Sequence, residues 1–458
     1  MKLALIGGGG VRAPEFVRDA LAFARDLDLR ELWLMDIDPA RLSMMTPLCR
    51  AIAQQAGMPF QVIQTLNLDD AIRDASVVVT TVRVGQEHAR VLDERIALRL
   101  NVLGQETTGA GGFSMAMRSI PVLLNVAERV EALTPKAWTF NFTNPAGLVV
   151  QALHDAGFRR VIGVSDNANT AQHDIAHWLQ RSRDSVKTEV FGLNDLSWTR
   201  RALVNGRDVL PELLRDDEFI RTTHLRFFGP ELVRQMGMFL HEYLFYYYFR
   251  DVALERIQRE ERTRGEEVEM LNRNLFETLR GLTPSEALRA YDAYNNRRNA
   301  SYMAYAEMDE QMRAERSRPS DDVSVRALHQ AEIGSYAGVA LRAALALTQD
   351  RPLRIGLNVP NRGSIVGMQN DDIVEITCEV DGSGVHPLPI GEIPEDPYLL
   401  MRAVKRYERL AVQAILNRDR RLAVEALAVH PLVGSYHIAA RLVEGYLEAH
   451  RDYVGVWD

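Results

Sequence analysis

Short apolar runs alternate with longer segments of helical periodicity through the first third of the chain. The runs predict buried strands at residues 2–6, 31–36, 61–65, 76–81 and 137–141, with another beginning at residue 161. Between them apolar residues recur at three- and four-residue spacing, which indicates amphipathic helices. Strands that alternate with helices are typical of βαβ units on a parallel sheet. We therefore predict an α/β protein whose first domain, residues 1–170, is a Rossmann-like, doubly wound parallel sheet.

The pattern changes in the second half of the chain. Residues 229–315 are rich in charges and helix formers, and residues 397–450 are mostly helical in pattern. Residues 354–361 and 373–380 partly alternate polar and apolar positions, which predicts antiparallel strands. No repeat or flexible linker is evident, so we predict a second, α+β lobe at residues 171–458 that binds the substrate and forms oligomer contacts.

Composition narrows the class of protein. Of the 458 residues, 47% are hydrophobic and 25% are charged, which is typical of a globular chain. The formal charge of -8 opposes a nucleic-acid groove, which needs a basic surface. No apolar run approaches the thickness of a bilayer and no signal-peptide pattern follows Met1, so we expect a cytoplasmic protein without a membrane partner. The two cysteines, Cys49 and Cys378, predict neither a disulfide framework nor a thiolate metal site.

The first predicted strand ends in four consecutive glycines, residues 7–10. Glycines at such a turn let the backbone approach a pyrophosphate, and the following helix offers its N–H groups. Asp36 closes the second strand, where a carboxylate would bind the ribose diol of NAD and disfavour a 2′-phosphate. The alternative is that Asp36 caps the helix beginning near Pro39, and we favour the cofactor. The predicted cofactor-binding residues are Gly7, Gly8, Gly9, Asp36, Arg41, Thr81 and Asn141.

Several long strings along the chain resemble one enzyme family. They are Gly7-Gly8-Gly9 with Pro14-Glu15, Arg83-Val-Gly with Arg90, Leu92-Asp-Glu-Arg95, Leu103-Gly-Gln-Glu106-Thr-Thr-Gly109, Asn141-Phe-Thr-Asn144-Pro-Ala-Gly147, Glu242-Tyr243-Leu, Thr263-Arg264-Gly-Glu-Glu-Val and His430-Pro-Leu-Val. Together they resemble glycoside hydrolase family 4, particularly its 6-phospho-β-glucosidase branch. The resemblance runs nearly end to end and implies a fold like that of lactate and malate dehydrogenases.

The resemblance also implies an unusual reaction. In such enzymes NAD is a resident catalyst, and the two-carboxylate scheme of most glycosidases does not apply. The sugar is oxidised at C3, a tyrosinate removes the acidified C2 proton, and the glycosidic oxygen leaves from C1. Water then adds and NADH restores C3. This chemistry needs a hydride acceptor, a polariser of the C2 and C3 oxygens, a base and a leaving-group acid.

Three residues match the family's catalytic positions. Tyr243 matches the base, although from the pattern alone it belongs to an aromatic helix face with Tyr246 and Tyr247. An unperturbed phenol titrates near pH 10, so the base requires a cation nearby. Glu106 matches a carboxylate thought to raise that base's proton affinity, and Asp166 lies where some members carry the leaving-group acid.

Arginines and one asparagine match or adjoin the family's substrate contacts. Arg90 and Arg264 match substrate contacts, since guanidinium forks suit a phosphate, and Asn144 matches a sugar contact. Arg12 and Arg298 lie in strings that depart from the family's usual ones. Arg12 is either a new anion contact or a solvated residue at a helix start, and both readings stay open.

The family's metal ligands are replaced in this chain. A cysteine of the family becomes Ser165 in Gly163-Val-Ser165-Asp166, and a histidine becomes Asp195 in Gly192-Leu-Asn194-Asp195. A neutral hydroxyl is a poor ligand, whereas Asp195 could hold Mg²⁺ or Mn²⁺ with Asp166 or waters. We favour a weak or absent metal site, in which case Arg12 or Arg298 would polarise the C3 oxygen.

Three functions remain compatible with the sequence. The first is an NAD-dependent glycosidase acting on a 6-phospho-β-glucoside or another anionic glycoside. The second is an NAD-dependent dehydrogenase of a hydroxy acid or sugar, and the third is a catalytically silent protein that binds NAD and a sugar. We favour the first, with a small phosphorylated sugar as partner and a homodimer or homotetramer as the assembly.

Overall fold

A computed structural model of the protein describes residues 1–165, 167–307 and 336–458. Two sheets are formed within these ranges. Their strands are β1 (Lys2–Ile6), β2 (Glu31–Met35), β3 (Gln61–Thr65), β4 (Val77–Thr80), β5 (Trp138–Asn141), β6 (Val161–Gly163), β7 (Val186–Leu193), β8 (Leu196–Val204), β9 (Arg207–Asp208), β10 (Phe239–Leu240), β11 (Leu353–Pro360), β12 (Ile373–Asp381) and β13 (Gly384–Pro387).

Helices cover both faces of the larger sheet and make up most of the second half. They are α1 (Ala13–Phe23), α2 (Pro39–Gln55), α3 (Leu68–Ile72), α4 (Gln86–Leu98), α5 (Gly109–Leu133), α6 (Ala146–Asp155), α7 (Thr170–Trp178), α8 (Leu210–Leu213), α9 (Asp217–Thr222), α10 (Gly229–Met236), α11 (Phe245–Tyr248), α12 (Arg250–Arg259), α13 (Arg264–Thr278), α14 (Pro284–Ala300), α15 (Tyr336–Gln349), α16 (Glu395–Asn417), α17 (Arg420–Val429), α18 (Tyr436–Ala449) and α19 (Arg451–Val454). In the described ranges, none of these helices combines the length and apolar character needed to cross a membrane.

The larger sheet has nine strands. Six of them run parallel in the order β3-β2-β1-β4-β5-β6, which is the doubly wound arrangement predicted from the sequence. The predicted α/β class with a Rossmann-like sheet is thus confirmed. The antiparallel strands β11, β12 and β13 extend the same sheet beyond β6. One sheet therefore continues across residue 170, the boundary predicted between the two domains.

The smaller sheet is formed by β7 to β10 and was not predicted from the sequence. β7 and β8 make a hairpin, and β9 and β10 pair with β8. Most residues of β7 and many of β8 are buried, so the hairpin shows little of the alternation that marks a half-exposed strand. Its tight turn carries Asn194 and Asp195 into the interior.

The carboxyl ends of β1, β4, β5 and β6 meet at one edge of the parallel sheet. At this edge the loop after β1 passes close to the end of β4: a Cβ on Gly7 would lie 2.5 Å from the backbone oxygen of Thr81. Gly7 also has a φ of +96°, so only glycine satisfies both constraints without strain. Ligands of doubly wound sheets bind in the crevice outside such strand ends. The candidate site is therefore sought here.

Candidate active site

Asp36 lies at the end of β2 and is held by two backbone donors. The N–H of Gly9 donates to its Oδ2 at 2.9 Å, and the N–H of Asp38 donates to its Oδ1 at 3.1 Å. Asp38, and not Asp36, caps α2, because its side chain accepts hydrogen bonds from the N–H groups of Ala40 and Arg41. The alternative role considered for Asp36 thus belongs to another residue. Its carboxylate stands beside the glycine turn, as a ribose-binding acid would.

Two neighbours of Asp36 bear on which dinucleotide would fit. Arg41 forms an ion pair with Glu87 at 2.6 Å. Burial opposes ionisation of Glu87, but its hydrogen bond and charge pairing with Arg41 lower its pKa. Arg41 is therefore neutralised by Glu87 and offers no spare charge to a 2′-phosphate. Ile37 is 86% exposed and presents an apolar surface beside Asp36.

The turn after β5 is organised by Asn141. Its buried side chain accepts hydrogen bonds from the Thr80 hydroxyl at 2.9 Å and from the N–H of Thr143, and it donates to the Thr143 oxygen. The amide is thus used inside the protein, where it fixes the turn that carries half-buried Asn144. Contacts of Thr81, Asn141 and Asn144 with a ligand stay predictions.

Tyr243 lies in a single turn of 3₁₀ helix, Glu242–Leu244, and is 8% exposed. Its ring packs edge-on against Tyr246 at 5.4 Å between centroids, as an aromatic helix face would predict. Its hydroxyl, however, lies 2.9 Å from the hydroxyl of Tyr302, whereas the Tyr246 hydroxyl bonds to Tyr305. Tyr243 therefore has a polar partner of its own, as a proton-transfer group requires.

A chain of polar groups leads away from Tyr302. The Tyr302 hydroxyl donates to Glu242 Oε1 at 2.5 Å, and His224 Nε2 lies 3.7 Å from Glu242 Oε2. His224 Nδ1 lies 2.8 Å from Asp174. Burial disfavours the charged ring, but Asp174 and Glu242 together raise the pKa of His224. This chain of polar groups was not predicted from the sequence.

Glu106 and Arg90 form a buried ion-pair network next to Tyr243. Glu106 Oε2 lies 2.7 Å from Arg83 and 3.0 Å from Arg90, whose Nε bonds to Glu94 at 2.7 Å. Burial opposes ionisation of Glu106, but Arg83 and Arg90 hold its pKa well below the usual range.

Arg90 also acts electrostatically on Tyr243. Burial opposes its charge, but Glu106, Glu94 and, more weakly, Tyr243 raise the pKa of Arg90. Arg90 therefore lies within electrostatic reach of the Tyr243 oxygen, and a guanidinium there would stabilise a phenolate. Arg90 is therefore the candidate for the cation that the predicted base needs, and the role of Tyr243 as base stays a prediction. Because Arg90 is buried against two carboxylates, its direct contact with substrate stays a prediction.

Arg12 and Arg264 lie close enough to Arg298 to act on its charge, and exposed Arg12 lies 3.7 Å from Glu15. Arg264 bonds to the Ser301 hydroxyl, to Glu267 and to the backbone oxygen of Arg298. Burial and the charges of Arg12 and Arg264 lower the pKa of Arg298 to about 10. In the described ranges its buried Nε has no hydrogen-bond partner. A guanidinium that is repelled by two neighbouring guanidinium groups is suited to bind an anion.

The positions of the family's metal ligands are buried in this chain. Asp195 Oδ1 accepts a hydrogen bond from the Asn167 amide at 3.2 Å, and Oδ2 accepts one from Asn194 at 3.0 Å. Ser165 is buried as well. Asp166, the predicted leaving-group acid and alternative ligand, lies outside the described residues.

Glu375 on β12 adjoins this position and was missed by sequence reasoning. Ser197 donates to its carboxyl at 2.6 Å and Asn358 at 3.2 Å. Burial, followed by the charge of Asp195, raises the pKa of Glu375 to about 8. Two amides thus bond to Asp195, and the neighbouring Glu375 has a raised pKa. Within the described ranges no group of three His, Cys, Asp or Glu residues is arranged to hold a metal ion. The described residues do not fit a tight metal site.

We therefore expect the purified protein to retain little manganese. A neutral hydroxyl and one carboxylate leave most of a coordination shell to water, so chelation with EDTA should strip the ion. Elemental analysis after EDTA treatment measures the retained metal. The matched control is the double variant Ser165→Cys with Asp195→His, which restores the family's ligands and is expected to retain more metal. Near-stoichiometric manganese in the EDTA-treated native protein would contradict the prediction.

Comparison with known proteins identifies the family to which this arrangement belongs. Residues 2–181 match the model of the family 4 glycosyl hydrolases, and residues 190–433 match the model of the family 4 glycosyl hydrolase C-terminal domain. The 6-phospho-β-glucosidase of Escherichia coli K12 is 30% identical over 99% of this chain and 96% of its own.

A probable 6-phospho-β-glucosidase of Bacillus subtilis is 28% identical over 99% of this chain and 97% of its own. The 6-phospho-β-glucosidase of Thermotoga maritima, solved with manganese, NAD⁺ and glucose 6-phosphate, superposes with a TM-score of 0.81 at 27% identity over 99% of both chains. Matches that together span nearly the whole sequence leave one assignment. The chain belongs to glycosyl hydrolase family 4, as its sequence motifs predicted.

Proposed function

We propose that the protein hydrolyses a phosphorylated glycoside, such as a 6-phospho-β-glucoside, with NAD as its resident cofactor. The names of its relatives in Escherichia coli and Bacillus subtilis support this substrate class. The observation that carries the proposal is the charge interaction of Arg90 with buried Tyr243, in a chain that also brings Arg12 and Arg264 close enough to act on half-buried Arg298. A base with its own cation and a separate anion pocket are the two features that such a substrate needs.

The described residues at the glycine turn fit NAD. Gly9 and Asp36 would hold the adenosine ribose, and Ile37 offers an exposed apolar surface to the adenine. Asp36 would repel a 2′-phosphate, and Arg41 is already paired with Glu87, so NADP fits less well. When bound, NAD supplies a reversible hydride acceptor for C3 of the sugar.

Tyr243 would remove the proton from C2 once C3 carries a carbonyl group. Arg90 stabilises the phenolate, while ionised Glu106 offsets part of the positive charge on Arg83 and Arg90. This balance of charges lets the phenolate form while it remains a strong enough base to remove the C2 proton. The Tyr302 hydroxyl orients the phenol through their shared hydrogen bond.

The arginine cluster would bind the phosphate. A phosphate monoester carries nearly two negative charges at neutral pH and accepts several charge-assisted hydrogen bonds. Arg298 is half-buried and is repelled by the charges of Arg12 and Arg264. A dianion would relieve this repulsion, so the cluster favours a phosphorylated sugar over a neutral one.

A panel of p-nitrophenyl glycosides tests the proposal. The 6-phosphorylated and unphosphorylated forms of the α- and β-glucosides would be assayed with NAD, with NADP and without cofactor. We expect turnover with NAD, and kcat/KM at least about 100-fold higher for the phosphorylated β-glucoside, which corresponds to two charge-assisted hydrogen bonds. Equal turnover of the unphosphorylated glycoside would contradict the proposed substrate.

The same panel separates the alternative functions. A dehydrogenase would accumulate NADH in proportion to substrate, whereas a resident cofactor is restored in every cycle. A silent binding protein would bind glucose 6-phosphate in calorimetry but release no p-nitrophenol from any glycoside. Either result would overturn the proposal.

A further inference from the structure

His241 lies two residues before Tyr243, directly after β10, and is 5% exposed. Its Nδ1 accepts a hydrogen bond from the N–H of Tyr243 at 3.0 Å. A ring nitrogen that accepts a hydrogen bond carries no proton, so in the neutral ring the proton is on Nε2. The backbone of the catalytic turn thereby fixes His241 as a donor through Nε2.

This donor is not satisfied within the protein. In the described part of the chain, the buried Nε2 of His241 has no hydrogen-bond partner. Asp195 Oδ1 lies 3.9 Å from this nitrogen, which is too far for a direct hydrogen bond. A buried donor without an acceptor is costly, so such an atom calls for an external partner.

The gap between the two side chains has the dimensions of one hydroxyl group. An oxygen about 2.8 Å from both Nε2 and Oδ1 would span the 3.9 Å separation. On the His241 side, a small pocket is lined by His241, Ser197, Thr199 and Asn167, among others. A hydroxyl satisfies both sides, because its oxygen accepts from the imidazole while its proton is donated to the carboxylate.

We propose that His241 and Asp195 together bind the sugar hydroxyl that is oxidised, the one on C3. The inference rests on the proposed function and names the group that takes over the polarising role of the family's metal. The rings of His241 and Tyr243 are 5.6 Å apart, so a sugar held by this pair brings the neighbouring C2 hydrogen near the Tyr243 hydroxyl. C2 and C3 are adjacent carbons, as this placement requires.

His241 and Asp195 suit both the C3 hydroxyl before the oxidation and the C3 carbonyl after it. With NAD bound as the hydride acceptor, oxidation at C3 would release the hydroxyl proton, which Asp195 is placed to accept, and would leave a C=O group. The Nε2–H of His241 then donates to the carbonyl oxygen, and this polarisation acidifies the C2–H that Tyr243 removes. The sequence suggested Arg12 and Arg298 as polarisers, and that role stays a prediction; here they are placed in the proposed phosphate-binding cluster.

Two substitutions separate the donor role of His241 from its structural role. His241→Asn places an amide oxygen where Nδ1 lies, so it still accepts from the Tyr243 N–H but removes the Nε2 donor. His241→Gln does the reverse, since its amide reaches the Nε2 position and leaves the Tyr243 N–H without its acceptor. Thermal unfolding of both variants reports whether each is folded.

The measurement is binding of glucose 6-phosphate and of 3-deoxyglucose 6-phosphate to the NAD-loaded, EDTA-treated protein by calorimetry. We expect the native protein to bind the 3-deoxy sugar about tenfold or more weakly. His241→Asn should lose a similar factor for glucose 6-phosphate and little for the 3-deoxy sugar. His241→Gln should keep most of the discrimination while turnover falls.

Three results with the variants or with added manganese would overturn the inference. They are equal weakening of both sugars by His241→Asn, unchanged discrimination in that variant, and discrimination that appears only when manganese is added. If the native protein bound neither sugar, the proposed substrate class would fail first, and this inference would fail with it. Binding of glucose 6-phosphate without 3-hydroxyl discrimination would overturn only the inference.

Discussion

Replacing Tyr243 by phenylalanine is expected to lower kcat by about 10²–10⁴-fold, the usual contribution of a positioned acid or base. The phenyl ring fills the same space but carries no oxygen to accept the C2 proton. Its contact with Tyr246 is retained, so folding should be little affected. Glucose 6-phosphate should still bind, because the arginine cluster is unchanged. The loss would therefore fall on kcat and leave KM nearly as before.

Exchange of the C2 hydrogen with solvent deuterium measures this step directly. The native protein is expected to exchange it in the presence of NAD, and the variant is not. Tyr305→Phe is the matched control, because it removes a phenol oxygen that bonds to Tyr246 and does not touch Tyr243. Normal C2 exchange in the Tyr243 variant would show that another group is the base.

The parallel sheet could be predicted closely from the sequence because its signal is local. The strands β1 to β6 are short apolar runs bounded by polar turns, and each was placed within a few residues. Both faces of these strands are covered by helices, so continuous apolar character marks them. Topology then follows, since parallel strands joined by helices have few allowed arrangements.

Pairing between distant strands could not be predicted in the same way. The strand character of β11 and β12 is visible in their sequences, but their place beside β6 depends on contacts almost 200 residues apart. β7 and β8 were not predicted because both are largely buried and lack the alternation of polar and apolar residues that marks a half-exposed strand. Local patterns carry little information on such partners.

The same contrast between local patterns and long-range contacts applies to the candidate site. The roles of Asp36 and Tyr243 were predicted from strings that are recognisable in the sequence, and they stay predictions. The roles of His241, Tyr302 and Glu375 depend on long-range contacts. Tyr302 meets Glu242 across 60 residues, and Glu375 meets Ser197 across 178. In the proposal, these residues replace or support the family's metal ligands. The loss of those ligands was visible in the sequence, whereas the residues that replace them were not.

Replacing Arg298 by glutamine is expected to remove most of the preference for phosphorylated substrates. The side chain keeps its hydrogen-bonding capacity and much of its length but loses the charge that a phosphate would neutralise. A charge-assisted hydrogen bond in a partly buried site is worth about 1.5–3 kcal/mol, which corresponds to roughly 10- to 100-fold in kcat/KM. The unphosphorylated glycoside should be affected much less.

The neighbouring Arg297 provides a matched control, because it lies on the same turn of α14 but is exposed. Arg297→Gln should leave kcat/KM for both substrates unchanged. Equal losses on phosphorylated and unphosphorylated glycosides in the Arg298 variant would instead assign Arg298 a structural role.

Stability of the ligand-free protein gives an independent check on Arg298. Burial and the charges of Arg12 and Arg264 lower its pKa to about 10, so the folded protein disfavours its charged form. A base whose pKa is lower in the folded state reduces stability below that pKa, which includes neutral pH. The glutamine variant is therefore expected to melt at the same or a higher temperature without ligand and to gain less from glucose 6-phosphate. A binding residue that is strained when empty and relieved when occupied shows both effects, whereas a structural arginine would show a lower melting temperature in both states.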